Sequence, residues 1–169
     1  APKAVEFLRT DKGRPYLPQG DIDFSLSHSG DWALLAVGKG KSIGIDIELI
    51  QPMRDLKGIA ENYYHPHEIA QLQTLNEADQ TNYFYRLWTL KEAFFKATGS
   101  GISAGLEKIA FVLDEKRVSA QIAAERIPAL FASELQERVT TRWNSEKDRI
   151  EARRERRLGA IVLASVPEP

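Results

Sequence analysis

Two carboxylates, Asp46 and Glu48, alternate with isoleucines in the run 42–50. In an extended strand, side chains two residues apart point to the same face, roughly 7 Å from each other. Both carboxylates can therefore reach one Mg²⁺, a hard cation that prefers oxygen ligands. The alternative is an edge strand with one wet, acidic face, which the strand pattern alone favours. Gly44 on the same face weakens that alternative, since a glycine inside a strand often marks the close approach of a ligand.

A second group of charges lies near the end of a helix predicted over residues 78–98, which Gly99 terminates. At 100° per residue the large apolar side chains form one arc, with Lys91 inside it and Glu92 and Lys96 at its edge. The simple explanation is a core helix with one weak ion pair on its surface. Three charges around an apolar face exceed what packing needs, however. The alternative is a site in which the carboxylate holds a cation and the lysines hold an anion.

Ser27 and His28 lie at the end of a strand predicted over residues 23–29, and Gly30 separates it from a second strand over 32–37. No G-x-S-x-G elbow surrounds the serines, so acyl transfer by a serine nucleophile is not indicated. Binding of a phosphate or a hydroxyl group is the better functional hypothesis. A polar hairpin tip without a function is an equally good explanation of this stretch taken alone.

Two short helices are predicted before the long one, over residues 55–64 and from Pro66 onward, where proline suits the first helical position. His65, His67 and Glu68 at the start of the second helix raise the question of zinc. Histidines two apart point to different helix faces, unlike the zinc-binding pair four apart, so a zinc site is not expected. Glu68 in the first turn interacts favourably with the helix dipole, which is a sufficient structural reason for it.

The composition is that of an ordinary globular protein, and 169 residues suffice for one domain or two small packed halves. The absence of cysteine excludes disulfides and thiolate metal sites. A net charge of −1 gives no electrostatic argument for nucleic acid binding. The longest apolar run, 159–166, is too short to span a membrane, and no secretory signal opens the chain. The expected location is the cytoplasm.

The rest of the chain is predicted as short elements: a strand over 5–9, a hairpin of 108–113 and 118–122, a helix over 128–139, and strands over 139–143 and 160–164. Residues 145–157 are rich in arginine and contain few apolar side chains, so a helix there could bury little. We interpret this segment as a surface for an acidic partner or as a solvated segment. Residues 51–54 break the pattern and suggest a boundary between one unit over 1–50 and a second over 51–169.

Several of these stretches, taken in order, resemble the 4′-phosphopantetheinyl transferases, specifically the monomeric type that activates peptide and polyketide synthases. The stretches are Gly13-Arg14-Pro15, Ser27-His28-Ser29-Gly30, Gly44-Ile45-Asp46-Ile47-Glu48, the helical stretch 88–96 and Gly99-Ser100-Gly101-Ile102. The resemblance implies an α+β fold of two similar α/β halves in a pseudo-twofold arrangement. It also implies that the N-terminal half is incomplete in this chain.

The activity implied by the resemblance is transfer of the 4′-phosphopantetheine arm of coenzyme A to a serine of an acyl or peptidyl carrier protein, with release of 3′,5′-ADP. Coenzyme A is then a substrate, and Mg²⁺ is the expected cofactor, with Mn²⁺ as an alternative. Carrier proteins are typically acidic, so the arginines of 149–157 are candidate contacts for one. No nucleic acid or membrane is expected as a partner. The alternative function is a non-catalytic coenzyme A or nucleotide-binding module that lost turnover with its N-terminal segment.

The resemblance also assigns the charged residues described above. Asp46, Glu48 and Glu92 are the implied metal ligands, in agreement with the reasoning from strand and helix geometry. Lys96 is placed near the scissile pyrophosphate, where it would stabilise or protonate the leaving group. Lys91 is assigned to a phosphate oxygen, which would explain a charge within an apolar arc.

The resemblance assigns roles to four further residues. His28, with Ser27, is expected to contact the pyrophosphate or the 3′-phosphate. Arg14 occupies the position of the family's lysine at the nucleotide, which keeps the charge but changes its geometry. Glu68 matches a glutamate proposed as the base that deprotonates the acceptor serine. Glu92 and a metal-bound water are rival candidates for that base.

Overall fold

An α+β fold, as predicted, is observed in the computed structural model, which describes residues 5–39, 42–53, 55–102 and 105–113 and the backbone of four further strands. The first five strands are β1 (Leu8–Arg9), β2 (Pro15–Tyr16), β3 (Ile22–Ser29), β4 (Trp32–Lys39) and β5 (Ser42–Ile47). The helices are α1 (Leu56–Tyr63), α2 (Pro66–Thr74) and α3 (Glu77–Thr98), followed by a 3₁₀ turn at Leu106–Lys108. The remaining strands are β6 (Ile109–Leu113), β7 (Val118–Ile122), β8 (Glu125–Ile127), β9 (Leu130–Phe131) and β10 (Ile161–Val166).

Helix α3 begins one residue before the predicted start and ends before Gly99, as predicted. The side chain of Asn76 caps its first turn by accepting a hydrogen bond from the Asp79 amide. At the other end Gly99 adopts a left-handed conformation, with φ of 67°, as the cap. The C-terminal half of α3 is buried on several sides and not along a single arc, because α2, β5 and β6 all pack around it.

The main hydrophobic core lies between α3, α1, α2 and β6. It is rich in aromatic side chains, and Phe84 stacks on both Tyr64 and Trp88. The hydroxyl of Tyr64 donates to the Phe84 carbonyl, so this buried polar group is satisfied. The aromatic packing holds the N-terminal two-thirds of α3 against the short helices and leaves its last turns to face the strands.

Strand β5 is buried on both faces, so the alternative of an edge strand with one wet, acidic face is wrong. Asp46 is only 3% exposed. One edge of β5 pairs with β10 in an antiparallel ladder that runs from Ser42↔Val166 to Ile47↔Ile161. Gly44 is needed because a Cβ there would overlap the Ala93 carbonyl oxygen and crowd the backbone of α3. The close approach that this glycine permits is therefore that of a helix, and not that of a ligand.

The other edge of β5 is joined to β3 through side chains. Alternate residues of β3 accept hydrogen bonds from backbone amides of the β5 segment, and the partners advance together, so the two strands run in the same direction. The bonds are Ile43 N to Asp23 Oδ2 (2.6 Å), Ile45 N to Ser25 Oγ (3.1 Å), Ile47 N to Ser27 Oγ (3.4 Å) and Leu49 N to Ser29 Oγ (3.1 Å). We call these four bonds the side-chain ladder.

Strands β3 and β4 form the predicted antiparallel hairpin, with Gly30 at the turn. Because side chains alternate between faces, the polar residues of the ladder lie on one face and apolar residues lie on the other. Leu26, Leu35 and Val37 on that second face are all more than half exposed. Phe7 covers part of it by an edge-to-face contact with Phe24, with ring centres 5.4 Å apart. The hairpin thus presents an apolar outer face to solvent.

Most of the smaller predicted elements are present. Helix α1, the start of α2, the β6–β7 hairpin and strand β10 were predicted to within about two residues, whereas β1 is shorter than the strand expected over 5–9. The helix predicted over 128–139 was wrong at its start, where Leu130–Phe131 pairs with β10, because strand pairing overrides local propensity. The predictions for 139–143 and 145–157 lie outside the described residues. No helix in the described part of the chain is long and apolar enough to cross a membrane.

Candidate active site

Asp46 and Lys96 form an ion pair where β5 packs against the last turns of α3. The Asp46 Oδ1 accepts from Lys96 Nζ at 2.7 Å and from the Ser27 hydroxyl at 2.7 Å. Lys96 Nζ also donates to the Ser27 oxygen at 3.1 Å, so the three side chains form a closed triangle. The second carboxylate oxygen, Asp46 Oδ2, is the single buried side-chain polar atom of the described residues that lacks a hydrogen-bond partner. Lys96 remains about one-third exposed, at 32%.

Glu48 and Glu92 are half-buried carboxylates in the electrostatic surroundings of Asp46. Glu48 follows the end of β5 and accepts a hydrogen bond from the Ser29 hydroxyl at 3.1 Å. Burial raises the pKa of all three carboxyl groups, and the charge of Asp46 raises the pKa of Glu48 and of Glu92 further. Lys96 opposes the rise in each of the three. The charge of Asp46 thus disfavours the ionised forms of both Glu48 and Glu92, and Glu48 adds to this effect on Glu92.

The donor set fits a hard divalent cation, although the carboxylates are not arranged as a finished metal site. Among the described residues no group of three or more histidine or acidic side chains is already gathered closely enough to hold a metal ion. However, Asp46 Oδ2 is buried and unpaired, and the neighbouring carboxylates offer only oxygen donors. An added cation would supply the missing partner and relieve the repulsion.

Arg14 ties the turn between β1 and β2 to the site. Its guanidinium donates to the carbonyl oxygens of Lys96 (2.9 Å) and Ile43 (3.1 Å), and forms an ion pair with Asp23 at 2.6 Å. The contact with the Lys96 carbonyl places a cation at the C-terminal end of α3, where the helix dipole favours positive charge. Arg14 therefore both fixes the turn and contributes positive charge beside Lys96.

A cavity of about 370 Å³ opens beside these residues, which is within the range of ligand sites. Apolar side chains form part of its wall. The charged part of the wall consists of Arg9, Lys12, Arg14, Lys96 and Glu92. Arg9 and Lys12 were not predicted as site residues, although their position around the Gly13 turn was a signal, since a basic turn next to a family motif is suited to an anion. Four cations at one cavity favour an anionic ligand.

Glu68 and Lys91 lie together in the core, on another side of α3. Both side chains are fully buried, and Lys91 Nζ is 2.8 Å from Glu68 Oε2. The ammonium also donates to the carbonyl oxygens of Leu106 and Ile109, which uses all three of its N–H groups. Burial lowers the pKa of Lys91, and Glu68 opposes that change.

The remaining bonds of Glu68 are also structural. Its two oxygens accept from the amides of Phe111 (2.7 Å) and His65 (2.9 Å), the latter completing a capping box at the start of α2. This arrangement does not favour the phosphate contact predicted for Lys91 or the base role predicted for Glu68. It also gives His65 a structural position, as the cap that accepts from the His67 amide.

The side chains of Ser27 and His28 lie on opposite faces of β3. Ser27 is buried and faces β5, whereas His28 is exposed on the opposite face of β3. The charge of His28 still acts on Glu48, because it lowers the pKa of that carboxyl group and so opposes the increase caused by burial. Their predicted shared contact with a phosphate stays a prediction. Ser29, to which the sequence assigned no role, also contacts a predicted metal ligand, because its hydroxyl bonds Glu48 as that of Ser27 bonds Asp46.

Comparison with known proteins gives a consistent result. The family model of the 4′-phosphopantetheinyl transferase superfamily matches residues 42–157. A 4′-phosphopantetheinyl transferase of Bacillus subtilis is 39% identical over 123 residues, 72% of this chain and 54% of that protein. HetI of a Nostoc strain is 40% identical over 66% of this chain and 48% of its own length, and Sfp of Bacillus subtilis is 35% identical over 66% and 49%.

The chain therefore belongs to the 4′-phosphopantetheinyl transferase superfamily. It spans about half the length of the curated relatives it matches. A holo-[acyl-carrier-protein] synthase from Thermotoga maritima is a structural neighbour, with a TM-score of 0.49 and 16% identity over 76% of this chain and 64% of that one.

Proposed function

We propose that this chain transfers the 4′-phosphopantetheine arm of coenzyme A to a serine of an acyl or peptidyl carrier protein. In this reaction the serine oxygen forms a bond to the β-phosphorus of coenzyme A, and the bond from that phosphorus to the bridging oxygen breaks. The leaving group is 3′,5′-ADP, and the serine gives up one proton. The observation that carries the proposal is the basic cavity that ends at Glu92 and Lys96.

Asp46, Glu48 and Glu92 would hold the Mg²⁺ that we include in the proposal. The unpaired Asp46 Oδ2 and the raised pKa of each carboxyl group support a cation at this place. When bound, Mg²⁺ or Mn²⁺ would supply charge neutralisation for the pyrophosphate and the departing phosphate. The chain's own residues have to bind and orient the substrates and protonate the leaving group.

Lys96 is the proposed partner of the leaving group. Its ammonium is partly exposed and lies at the wall of the cavity. From there it can donate a hydrogen bond to an oxygen of the pyrophosphate and stabilise the charge that develops as the bond breaks. Ser27 and Asp46 orient the ammonium, since both accept its hydrogen bonds.

Glu92 is a better candidate than Glu68 for the proton acceptor. It contributes to the wall of the cavity, whereas Glu68 is fully buried and has both oxygens engaged. The acceptor serine would have to enter the cavity mouth beside it.

Binding of the nucleotide part of coenzyme A is assigned to the basic side of the cavity. Arg14 is held rigidly by its three contacts, and Arg9 and Lys12 add charge on the same turn. His28 remains a predicted phosphate contact from the exposed face of β3. The predicted docking of an acidic carrier protein on the arginines of 149–157 concerns residues outside the described part. A cytoplasmic monomer is the form in which we propose that the chain acts.

The test is to incubate the chain with an apo carrier protein, coenzyme A and Mg²⁺, and to measure the added arm by mass spectrometry. Glu92→Gln should lower the rate by at least about 100-fold while coenzyme A binding, measured by calorimetry, is retained. Lys96→Met should lower the rate by a similar factor. Glu61→Gln, an exposed glutamate on α1, is the matched control and should transfer the arm at the rate of the unaltered chain.

The outcomes separate the two candidate functions. Coenzyme A binding without transfer by a correctly folded chain would overturn the transferase proposal. It would favour the non-catalytic coenzyme A-binding module. Transfer by Glu92→Gln at the unaltered rate would leave the reaction in place but remove Glu92 from the site.

A further inference from the structure

The side-chain ladder makes a second set of contacts, with carboxylates. Two of its serines, besides accepting from a backbone amide of the β5 segment, donate to a carboxylate of that segment. Ser27 Oγ donates to Asp46 Oδ1 at 2.7 Å, and Ser29 Oγ donates to Glu48 Oε2 at 3.1 Å. The two contacts have the same spacing in sequence, so they repeat one geometric relation along the pair of strands.

Ser29 holds the more exposed end of this arrangement. Glu48 lies beyond the last residue of β5, where the β10 ladder no longer fixes the chain. Ser29 Oγ accepts from the Leu49 amide at 3.1 Å, so its one hydroxyl bridges the Glu48 carboxylate and the next backbone amide. Gly30 packs directly on the Leu49 side chain, and a Cβ there would overlap it. The turn of the β3–β4 hairpin is thereby pressed against the segment that carries Glu48.

We propose that Ser29 is a positioning residue, which orients the Glu48 carboxylate for the divalent cation through the hydrogen bond from its hydroxyl. This inference rests on the proposed function, in which Glu48 is a metal ligand. A carboxylate that is held by one fixed donor loses less rotational freedom when it binds a cation. It also keeps its other lone pairs available, because the serine occupies only one oxygen, Oε2.

Ser25 provides a matched control for the contribution of Ser29 to the side-chain ladder. It belongs to the same strand and the same ladder, and it accepts from the Ile45 amide at the same distance, 3.1 Å. In the described part of the chain, however, Ser25 bonds no carboxylate. Replacing Ser25 by alanine removes one ladder bond without touching a proposed metal ligand.

The experiment measures Mn²⁺ binding by electron paramagnetic resonance for the whole chain and three variants, without coenzyme A. Ser29→Ala should weaken Mn²⁺ binding about tenfold, as is typical when the partner of a ligand is removed. Ser29→Thr keeps the hydroxyl on a strand-compatible side chain and should restore the affinity. Ser25→Ala should lower the melting temperature about as much as Ser29→Ala and leave the Mn²⁺ affinity unchanged.

Transfer kinetics provide the second measurement. Ser29→Ala should raise the Mg²⁺ concentration needed for half-maximal rate about tenfold and leave the KM for coenzyme A unchanged. Equal Mn²⁺ affinities of Ser29→Ala and the unaltered chain would overturn the positioning role, and so would an equal loss in Ser25→Ala. In both cases transfer by the unaltered chain would leave the proposed function standing. Absence of Mn²⁺ binding by the unaltered chain would remove the proposed metal site and the positioning role together.

Discussion

Lys91 and Glu68 form a fully buried charged pair that joins α3 to α2. Removing one partner leaves a charge without compensation in the core. Lys91→Met should therefore lower the free energy of unfolding by about 3 kcal/mol. The measurement is urea denaturation followed by circular dichroism.

Two further variants test whether the loss comes from the unpaired charge. Lys91→Met combined with Glu68→Gln should recover part of the stability, since no buried charge remains. Lys39→Met removes the exposed pair with Asp21 and should cost less than about 1 kcal/mol. A single Lys91→Met variant as stable as Lys39→Met would contradict the structural role.

Glu92 gives a pH dependence whose sign follows from its surroundings. Its folded pKa is raised above the ordinary value of 4.5, by burial first and by Asp46 and Glu48 in addition. The folded state then binds more protons than the unfolded state just above pH 4.5, so in this range stability falls as pH rises. Without metal, Glu92→Gln should be more stable than the unaltered chain at neutral pH, and the difference should disappear as pH falls toward 4.5.

Urea denaturation in the presence of a chelator, repeated from acidic to neutral pH, measures this difference. Glu61→Gln serves again as the exposed control and should follow the unaltered chain at every pH. Addition of Mg²⁺ should stabilise the unaltered chain more than Glu92→Gln, because binding to the folded state adds to stability. A Glu92→Gln variant less stable at neutral pH would mean that the carboxylate charge is stabilising.

At the scale of elements, the sequence predicted what is local and missed what depends on packing. Helix α3 was predicted from its apolar arc and from Gly99 as its stop signal, which are both local features of the chain. The burial of Asp46 did not follow, since alternation tells which residues share a face but not what covers that face. Strand β9 was missed because its pairing with β10 is non-local.

The candidate site shows the same division. Spacing and resemblance predict the carboxylates Asp46, Glu48 and Glu92 and the cation Lys96 as site residues, and their roles stay predictions. Lys91 was assigned to an anion because a charge in an apolar arc has no local explanation, and its actual partners lie on α2 and after α3. Residues that meet only after folding were the ones whose roles the sequence could not determine.

Gly44 is the contact point between β5 and α3, and its replacement tests how closely they must pack. A methyl group there would meet backbone atoms of Ala93 and Ala97, which cannot move aside like a flexible side chain. Gly44→Ala should lower the free energy of unfolding by about 3 kcal/mol. At Gly20 a methyl group would meet no neighbour within 4 Å, and only the positive φ of the backbone disfavours alanine. Gly20→Ala should therefore lower the free energy of unfolding by about 1–2 kcal/mol. Equal costs in urea denaturation would contradict the close packing.

At the scale of the whole molecule, the outer face of the β3–β4 hairpin is the main exposed apolar surface of the described residues. Exposed patches of this kind bind hydrophobic dyes, while exposed positions contribute little to stability. Leu35→Thr combined with Val37→Thr should lower the fluorescence of bound anilinonaphthalene sulfonate at least about twofold and change the free energy of unfolding by less than about 1 kcal/mol. Ala33→Ser on the same strand is the control that keeps the two large side chains. Undiminished dye binding in the double variant would show that another surface binds the dye.

In an ordinary sheet, neighbouring strands are held by main-chain groups that every amino acid supplies, so a single substitution seldom releases a strand. The union of β3 with β5 is different, because its acceptors are one aspartate and three serines. Each acceptor can be removed by one alanine substitution. No proline has to be introduced, and the main chain is unchanged. A graded set of alanine replacements at Asp23, Ser25, Ser27 and Ser29 would therefore weaken the attachment of β3 to β5 in steps. The strength of this interstrand contact therefore depends on four side chains and can be changed by substituting one residue at a time.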